Sequence, residues 1–182
     1  MTDESAVENT VEAPMDVDQI AAALPKIPDW HAETLHIAEG DLDFVTIGEG
    51  VEVKVLQVDV KQGLWVVFNR FQPGAKISPH YHSGQVFAVT LQGRWFYKES
   101  PEAVNGPGSY LYEPAGSRHT LMIPEDQDGP TIVWFAIYGC NVQLDEAGDL
   151  DMIVDAQTML NGYRMLCDMQ GSSSAKTIVV GE

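Results

Sequence analysis

The feature that most constrains the fold is a series of short, strand-like segments with no helix-forming stretch between them. Between residues 51 and 139, segments rich in β-branched and aromatic residues follow one another closely. They are VEVKVLQVDV, GLWVVFNRF, SGQVFAVTLQG, GRWFYKE, GSYLYEP, RHTLMIP and TIVWFAIYG. Turn-forming stretches separate several of them, namely QPG, ESPEAVNGPG, EPAG and PEDQDGP. This pattern predicts an all-β sandwich or barrel.

Helical patterns occur only towards the two ends of the chain. The stretch MDVDQIAAALP predicts a short helix around residues 16–24, capped by Asp16 or Asp18 and stopped by Pro25. The stretch DLDMIVDAQTMLNGYRMLCDMQG predicts a C-terminal helix capped by Asp149 or Asp151, with an interior glycine that weakens its last turns. Its apolar residues fall at helical spacing: Ile153, Ala156, Leu160 and Tyr163. We expect this helix to pack on the sheet, or else to serve as a lid or dimer element.

Charge divides the chain into three parts. The net charge is −17, and six acidic residues but no Lys or Arg fall within the first 18 residues. Such a segment lacks the apolar surface needed for order, so we predict a disordered acidic arm over 1–18. A single domain over 19–168 and a tail over 169–182 would follow, in which the segment TIVV (177–180) can add an edge strand.

Composition also limits the partners and the compartment. An acidic surface repels nucleic acid and anionic lipid, so neither is an expected partner. No run approaches the length of a membrane span, and the N-terminus lacks the pattern of a signal peptide. Cys140 and Cys167 lie far apart, which argues against a disulfide framework. We therefore expect a cytoplasmic protein.

The histidines carry the clearest chemical signal. His80 and His82 are two residues apart in a strand-like segment, so both side chains project from the same face. His119 follows a Pro-Ala-Gly turn and can supply a third imidazole from another strand. His31 and His36 precede the sheet without a partner at ligand spacing, and we expect them at the surface or in packing.

Two blocks around these histidines resemble the paired motifs of the cupin family. In residues 74–93, Gly74 is followed after five residues by His80-x-His82 and later by Gly93. In residues 108–119, Gly108 leads through a Pro-x-Gly turn to His119. The resemblance implies a double-sheet jelly-roll β-barrel, here with a short N-terminal helix and a C-terminal packing helix. It also implies a divalent metal on His80, His82 and His119.

The resemblance includes one departure and one closer match. Cupins commonly place a glutamate ligand where this chain has Val86, so the four-ligand site lacks its carboxylate. The segments HYHSGQVFAVTLQGRWFYKE and GSYLYEPAGSRHTLMIP are similar to cupins of the 2,4′-dihydroxyacetophenone dioxygenase type, with acetylacetone-cleaving dioxygenase as a more distant relation. That resemblance implies iron(II) on three histidines. We assign Glu99 a role behind the ligands, as an orienting residue, or else a place at a solvated strand end.

The function implied is an iron(II) dioxygenase that uses O₂ to cleave a C–C bond beside the carbonyl of a diketone or hydroxyketone. Aromatic residues and one arginine on the strands are candidates for the substrate pocket: Trp65, Arg70, Phe87, Trp95, Tyr97 and Tyr112. Each of them is also a candidate for plain core or surface. A zinc site is the alternative, serving a lyase, isomerase or hydrolase or a non-enzymatic sensing cupin of the anti-sigma-factor type. A homodimer or a higher homo-oligomer is expected, because the cupins that the chain resembles commonly pair through their sheets.

Removal of the acidic arm provides a test of the predicted domain limits. Deleting residues 1–15 is expected to leave the melting temperature nearly unchanged, because these residues have little apolar surface to bury. Thermal unfolding of the full chain and the deletion variant measures the difference. A large drop would show that the arm packs on the folded domain.

Overall fold

The computed structural model describes residues 16–23 and 33–182. The chain divides into two compact units, Met1–Thr34 and Leu35–Glu182. In the first unit, helix α1 spans Val17–Ala23, which confirms the predicted N-terminal helix. The stop predicted at Pro25, and residues 1–15 of the predicted arm, lie outside the described residues.

The second unit is built almost entirely from β-strands, as the sequence predicts. In chain order the strands are β1 (Val45–Gly48), β2 (Val51–Asp59), β3 (Leu64–Phe71), β4 (His80–His82), β5 (Val86–Gln92), β6 (Trp95–Tyr97), β7 (Ser100–Asn105), β8 (Tyr110–Glu113), β9 (Leu121–Met122), β10 (Thr131–Tyr138), β11 (Asn141–Leu144), β12 (Leu150–Val154) and β13 (Ile178–Val180). Helix α2 spans Ala156–Gln170, between β12 and β13.

These strands form one large and two small sheets. The large sheet has the order β1-β2-β3-β10-β5-β8, and β13 adds to β2 in parallel. The small sheets have the orders β12-β11-β4 and β7-β6-β9. One apolar core joins the large sheet, the small sheet around β6 and helix α2, with Val67, Trp95, Val133 and Leu160 among its fully buried members. The predicted all-β jelly-roll class is therefore confirmed, including the C-terminal helix that packs on the sheet.

Two local predictions are wrong. Strand β7 occupies much of ESPEAVNGPG, which the sequence analysis assigned to a turn because of its Pro, Gly and acidic residues. It lies beside β6, with Trp95 opposite Asn105 and Tyr97 opposite Ser100, and most of its side chains are exposed. An outer strand of this kind needs no apolar alternation, so the sequence pattern did not mark it.

The C-terminal helix begins later than predicted. Residues 150–154, including Ile153, form strand β12, and Asp155 rather than Asp149 or Asp151 is the N-cap. Its carboxylate accepts a hydrogen bond of 2.7 Å from the main-chain N–H of Thr158. The residues at helical spacing remain a correct guide after this point, because Ala156, Leu160 and Tyr163 are buried together with Cys167.

The segment after α2 returns to the large sheet. The main-chain N–H of Val60 donates to the carbonyl of Val180 at 3.0 Å, and the hydroxyl of Thr177 donates to the carbonyl of Val55 at 3.0 Å. The TIVV segment thus adds a strand, as expected. In the part of the chain that the structure describes, neither helix combines the length and the apolar character that crossing a membrane requires.

Gly84 lies just after β4, the strand that carries His80 and His82, and its lack of a side chain lets this part of the chain lie close to Tyr138 of the large sheet. A Cβ at this position would lie 2.7 Å from the carbonyl carbon of Tyr138, which is main chain and has little freedom to move. By contrast, a Cβ at Gly162, inside α2, meets nothing within 4 Å. The two glycines therefore have opposite consequences for substitution.

Gly84→Ala is expected to lower the free energy of unfolding by about 1–3 kcal/mol, because the new methyl group must displace the main chain. Gly162→Ala is the matched control and is expected to raise it by up to about 1 kcal/mol, since alanine is the better helix former. Denaturant unfolding of both variants checks the two signs. An equal effect of the two substitutions would contradict the close approach at Gly84.

Candidate metal centre

Three buried histidines converge at one end of the barrel interior. His80 and His82 are the first and last residues of β4, and His119 lies just before β9. The main chains of His80 and His119 exchange two hydrogen bonds, of 2.9 and 3.0 Å, which hold the two segments side by side. One ring nitrogen from each histidine lies within 4.8 Å of the others. The structure thus brings together the three residues that the sequence singled out.

Neighbouring groups fix two of the three rings. Nδ1 of His80 lies 2.8 Å from the carbonyl oxygen of Ser78, which favours a proton on Nδ1 and leaves Nε2 with a free lone pair. The ring of His119 stacks on Tyr97, with centroids 4.0 Å apart and planes inclined by 21°. Such contacts orient imidazoles before a metal binds.

Burial keeps these histidines neutral. Removal from water, together with the neighbouring rings of His80 and His119, lowers the pKa of His82 to about 3. Burial and the ring of His80 also lower the pKa of His119 to about 3. The pKa of His80 is lowered for the same reason, although its contact with Ser78 acts in the opposite direction. Neutral imidazoles are the form that binds a metal cation.

The site also contains polar atoms that the described protein does not satisfy. Nδ1 of His82, Nε2 of His119 and Oε2 of Glu113 are buried without a hydrogen-bond partner among the described residues. Buried polar atoms normally have partners, so unpaired atoms on two of the histidines and on the adjacent carboxylate fit a site that binds a further group. Together with the convergence of three neutral imidazoles, this fits a divalent transition-metal ion such as iron(II) or zinc.

A carboxylate that the sequence analysis did not identify stands beside the histidines. Glu113 is the last residue of β8 and only 4% of its surface is exposed. Its Oε2 lies 3.4 Å from Nε2 of His119 and 3.7 Å from Nε2 of His82, while its Oε1 accepts a hydrogen bond from the hydroxyl of Tyr97. Burial raises the pKa of Glu113 to about 7, against the opposing effect of the Tyr97 hydrogen bond.

The position of Glu113 accounts for the missing carboxylate of the first motif. Val86 is fully buried on β5, and its cross-strand partner on β8 is Glu113. Directly paired residues of antiparallel strands project from the same face, with Cβ atoms about 5 Å apart. The carboxylate absent from position 86 is thus present one strand away. The sequence signal was the lone glutamate at the end of GSYLYEP, which lies in an otherwise apolar and aromatic strand.

Glu99 lies behind His119. Its Oε2 accepts a hydrogen bond of 2.9 Å from the main-chain N–H of Thr120, the residue that follows His119. Although desolvation acts the other way, this hydrogen bond and the nearby His119 hold the pKa of Glu99 below its ordinary value. Glu99 therefore contacts the main chain beside a ligand candidate, the position that an orienting residue requires.

A narrow cavity of about 80 Å³ opens beside His80 and His82. Two of the predicted pocket residues, Trp65 and Tyr97, line it. The remaining lining is mostly apolar, with Asn69, Phe71, Ile77, Glu113, Leu121, Phe135, Ile137 and Asn141 completing the wall. A second cavity, of about 270 Å³, lies against the other side of Tyr97, Glu113 and His119, and Tyr112 lines it.

The other predicted pocket residues have different surroundings. Trp95 is fully buried in the core, where its indole N–H donates to the hydroxyl of Thr90 at 2.8 Å. Arg70 is held by Glu52 in a bidentate ion pair of 2.5 Å per contact. Phe87 packs on Tyr112, with centroids 5.7 Å apart. None of Trp95, Arg70 and Phe87 lines either cavity beside the histidines.

Comparisons with known proteins agree with this fold and site. A solved structure from Ralstonia eutropha JMP134, of unknown function with a cupin-like fold, is 31% identical, with a TM-score of 0.78 over 84% of this chain and 96% of that one. A second cupin of that organism, described as RmlC-like, is 24% identical, with a TM-score of 0.70 over 79% and 94% of the two chains.

Acetylacetone dioxygenase from Acinetobacter johnsonii shares the fold at 14% identity, with a TM-score of 0.66 over 79% of this chain and 99% of that one. No curated protein matches the chain. The family described as the ChrR cupin-like domain matches residues 32–136, which is more than half of the sequence. The chain therefore belongs to the ChrR cupin-like domain family of cupins.

Proposed function

We propose that this protein is a mononuclear non-haem iron(II) dioxygenase that cleaves a C–C bond beside a carbonyl group in a diketone or hydroxyketone, with O₂ as the co-substrate. The observation that carries the proposal is the convergence of three buried, neutral histidines, two of which also line a mostly apolar cavity. The resemblance of both histidine motifs to dioxygenase cupins supports it. The fold that the chain shares with an acetylacetone dioxygenase is consistent with it.

His80, His82 and His119 would hold the metal. An iron(II) ion there would supply open positions for substrate oxygens and O₂ and the electrons for oxygen activation. The three neutral imidazoles compensate none of the ion's positive charge and the nearby Glu113 carboxylate compensates part of it, so the remaining charge favours an anionic, enolate form of the ketone. The apolar side chains of Trp65, Phe135 and Ile137 exclude water from the remaining space.

The position of Glu113 beside the histidines favours a closed zinc site as the alternative to the iron site. Three imidazoles and one carboxylate can complete the four ligands of a closed zinc site, which has no position left for substrate. Zinc with an open position would instead serve a lyase, isomerase or hydrolase, and a closed site would suit a sensing cupin of the anti-sigma-factor type. The same carboxylate is also compatible with iron. The Tyr97 hydroxyl holds its Oε1, so only Oε2 faces the metal position, and further coordination positions of an iron ion would stay open.

Metal analysis combined with oxygen uptake separates these functions. Protein produced without added metal is analysed for iron and zinc, and oxygen consumption is then measured with a panel of diketones and hydroxyketones. Iron together with substrate-dependent oxygen uptake supports the dioxygenase. Zinc with no oxygen uptake would contradict it and support one of the alternatives.

The compartment, oligomeric state and reaction partners also form part of the proposed function. We propose a cytoplasmic homodimer whose reaction partners are a small ketone and O₂. Sedimentation of the purified chain measures the oligomeric state, independently of activity.

Replacing any one of the three ligand histidines is expected to abolish both metal binding and activity. His80→Ala, His82→Ala and His119→Ala each remove one of three neutral ligands, while the apolar core that supports the barrel stays intact. Metal content per chain, turnover and circular dichroism are measured on each variant. His36→Ala, at an exposed position, is the control and should retain both metal and activity. Full metal content in any of the three variants would show that the ligand set is wrong.

Glu113 and Glu99 form a matched pair of carboxylates for testing the surroundings of the metal. Glu113→Gln removes a buried negative charge that faces two ligand histidines, so metal affinity is expected to fall ~10–100-fold. Glu99→Gln changes a carboxylate that accepts a hydrogen bond from the main-chain N–H of Thr120, next to His119, so turnover is expected to fall while iron remains bound.

Competition with a metal-binding dye gives the affinities, and oxygen uptake gives the turnover. Loss of iron from Glu99→Gln would make Glu99 a direct ligand. Unchanged kinetics in that variant would assign Glu99 to a solvated strand end, the alternative that the sequence also allows. Unchanged metal affinity in Glu113→Gln would exclude an interaction of that carboxylate with the ion.

A further inference from the structure

The cavity wall beside His82 contains an amide whose oxygen has no partner. Asn141 is the first residue of β11 and lies directly opposite His82 on β4. Paired residues of adjacent antiparallel strands share a face, so the Asn141 side chain stands next to the His82 ring. Its Oδ1 is buried and accepts no hydrogen bond from any residue that the structure describes.

A second amide in the same wall has a partner. Nδ2 of Asn69 donates to the carbonyl oxygen of Glu52 at 3.4 Å, which ties that side chain to the neighbouring strand β2. The side-chain oxygen of Asn141 has no hydrogen-bond partner among the described residues. A buried acceptor without a donor is unfavourable, and an amide oxygen has two lone pairs, so Oδ1 has capacity for a donor from a bound ligand or ordered water even where Nδ1–H of the adjacent His82 supplies another.

The cavity, of about 80 Å³, has room for ordered water or for the reacting part of a ketone substrate.

We propose that Asn141 is a specificity-determining residue, whose side-chain oxygen accepts a hydrogen bond from a hydroxyl group of the substrate. This inference rests on the proposed function, and it narrows the substrate to hydroxyketones in preference to diketones. A diketone presents only acceptors next to Asn141 Oδ1, whereas a hydroxyketone presents the donor that this atom lacks.

Two ketones of equal size provide the test. Hydroxyacetone and butanone have the same number of non-hydrogen atoms, but only hydroxyacetone carries a hydroxyl donor. Their dissociation constants are measured without oxygen, by NMR titration of the metal-loaded protein, for the unchanged chain and for Asn141→Leu. Asn161→Leu is the control, because Asn161 lies on the exposed surface of α2 and accepts only from Gln157.

The unchanged protein is expected to bind hydroxyacetone about tenfold more tightly than butanone, and this ratio should fall towards one in Asn141→Leu. Butanone affinity, metal content and melting temperature should stay unchanged in that variant, because it removes an unpaired acceptor. Asn161→Leu should keep the tenfold ratio. Aliphatic hydroxyketones should likewise bind more tightly than 2,3-butanedione.

Three results would overturn the inference. An equal affinity of the unchanged protein for the two ketones would show that no donor is recognised. A preference that survives in Asn141→Leu would show that the metal alone selects the hydroxyl group. Equal weakening of both ketones with a lower melting temperature would give Asn141 a structural role. Absence of oxygen uptake with every ketone would instead contradict the proposed dioxygenase, while the binding ratios would still test Asn141.

Discussion

The pair of main-chain hydrogen bonds between His80 and His119 is the interaction on which the site depends. They join two segments that are distant in sequence and hold the first and third ligand candidates in register. A third main-chain bond, from the N–H of Gly116 to the carbonyl of His82 at 2.8 Å, fixes the other end of β4 against the same segment. These main-chain hydrogen bonds bring the ring nitrogens together, and the barrel core stabilises this arrangement of the main chain.

The barrel excludes water from the site, and this burial determines the protonation states of the histidines and of Glu113. Burial holds the three imidazoles neutral and would impose a large cost on any isolated charge. The same burial holds the carboxyl group of Glu113 at a pKa of about 7, a strongly perturbed value that a nearby cation would lower. Tyr97 connects these groups, because it stacks on His119 and donates to Glu113 at the same time. The site is thus a coupled unit of histidines, carboxylate and phenol inside an apolar wall.

The sequence predicted the parts of this structure that local chemistry controls. Alternating and β-branched segments gave most strands of the large sheet, and the H-x-H spacing with the Pro-Ala-Gly turn identified His80, His82 and His119. Strand β7 escaped prediction because an exposed outer strand has no distinctive composition. The start of α2 was misplaced because the acidic residues before Asp155 are equally good caps, and only pairing of β12 with β11 decides among them.

The functional residues that were missed depend on contacts across strands. Glu113 and Asn141 carry no spacing signal relative to the histidines, and their relevance follows from the pairing of β8 with β5 and of β11 with β4. Conversely, Arg70 and Trp95 were predicted to line the pocket because of their side-chain chemistry, and neither of them does. Arg70 is instead held by Glu52, and Trp95 is enclosed by the core. Neither outcome is visible without the register of the sheet.

The pairing of Val86 with Glu113 has a consequence for how such proteins are compared. Two positions that face each other across a ladder are close in space and far apart in an alignment, so a carboxylate at either of them lies beside the same centre. A template defined along one motif records a loss at position 86. A template defined by points in space records an acid in nearly the same place. Within this family, a chain with glutamate at the first position and valine at the second would present its carboxylate to the same centre, and a comparison of motifs alone would separate it from this chain.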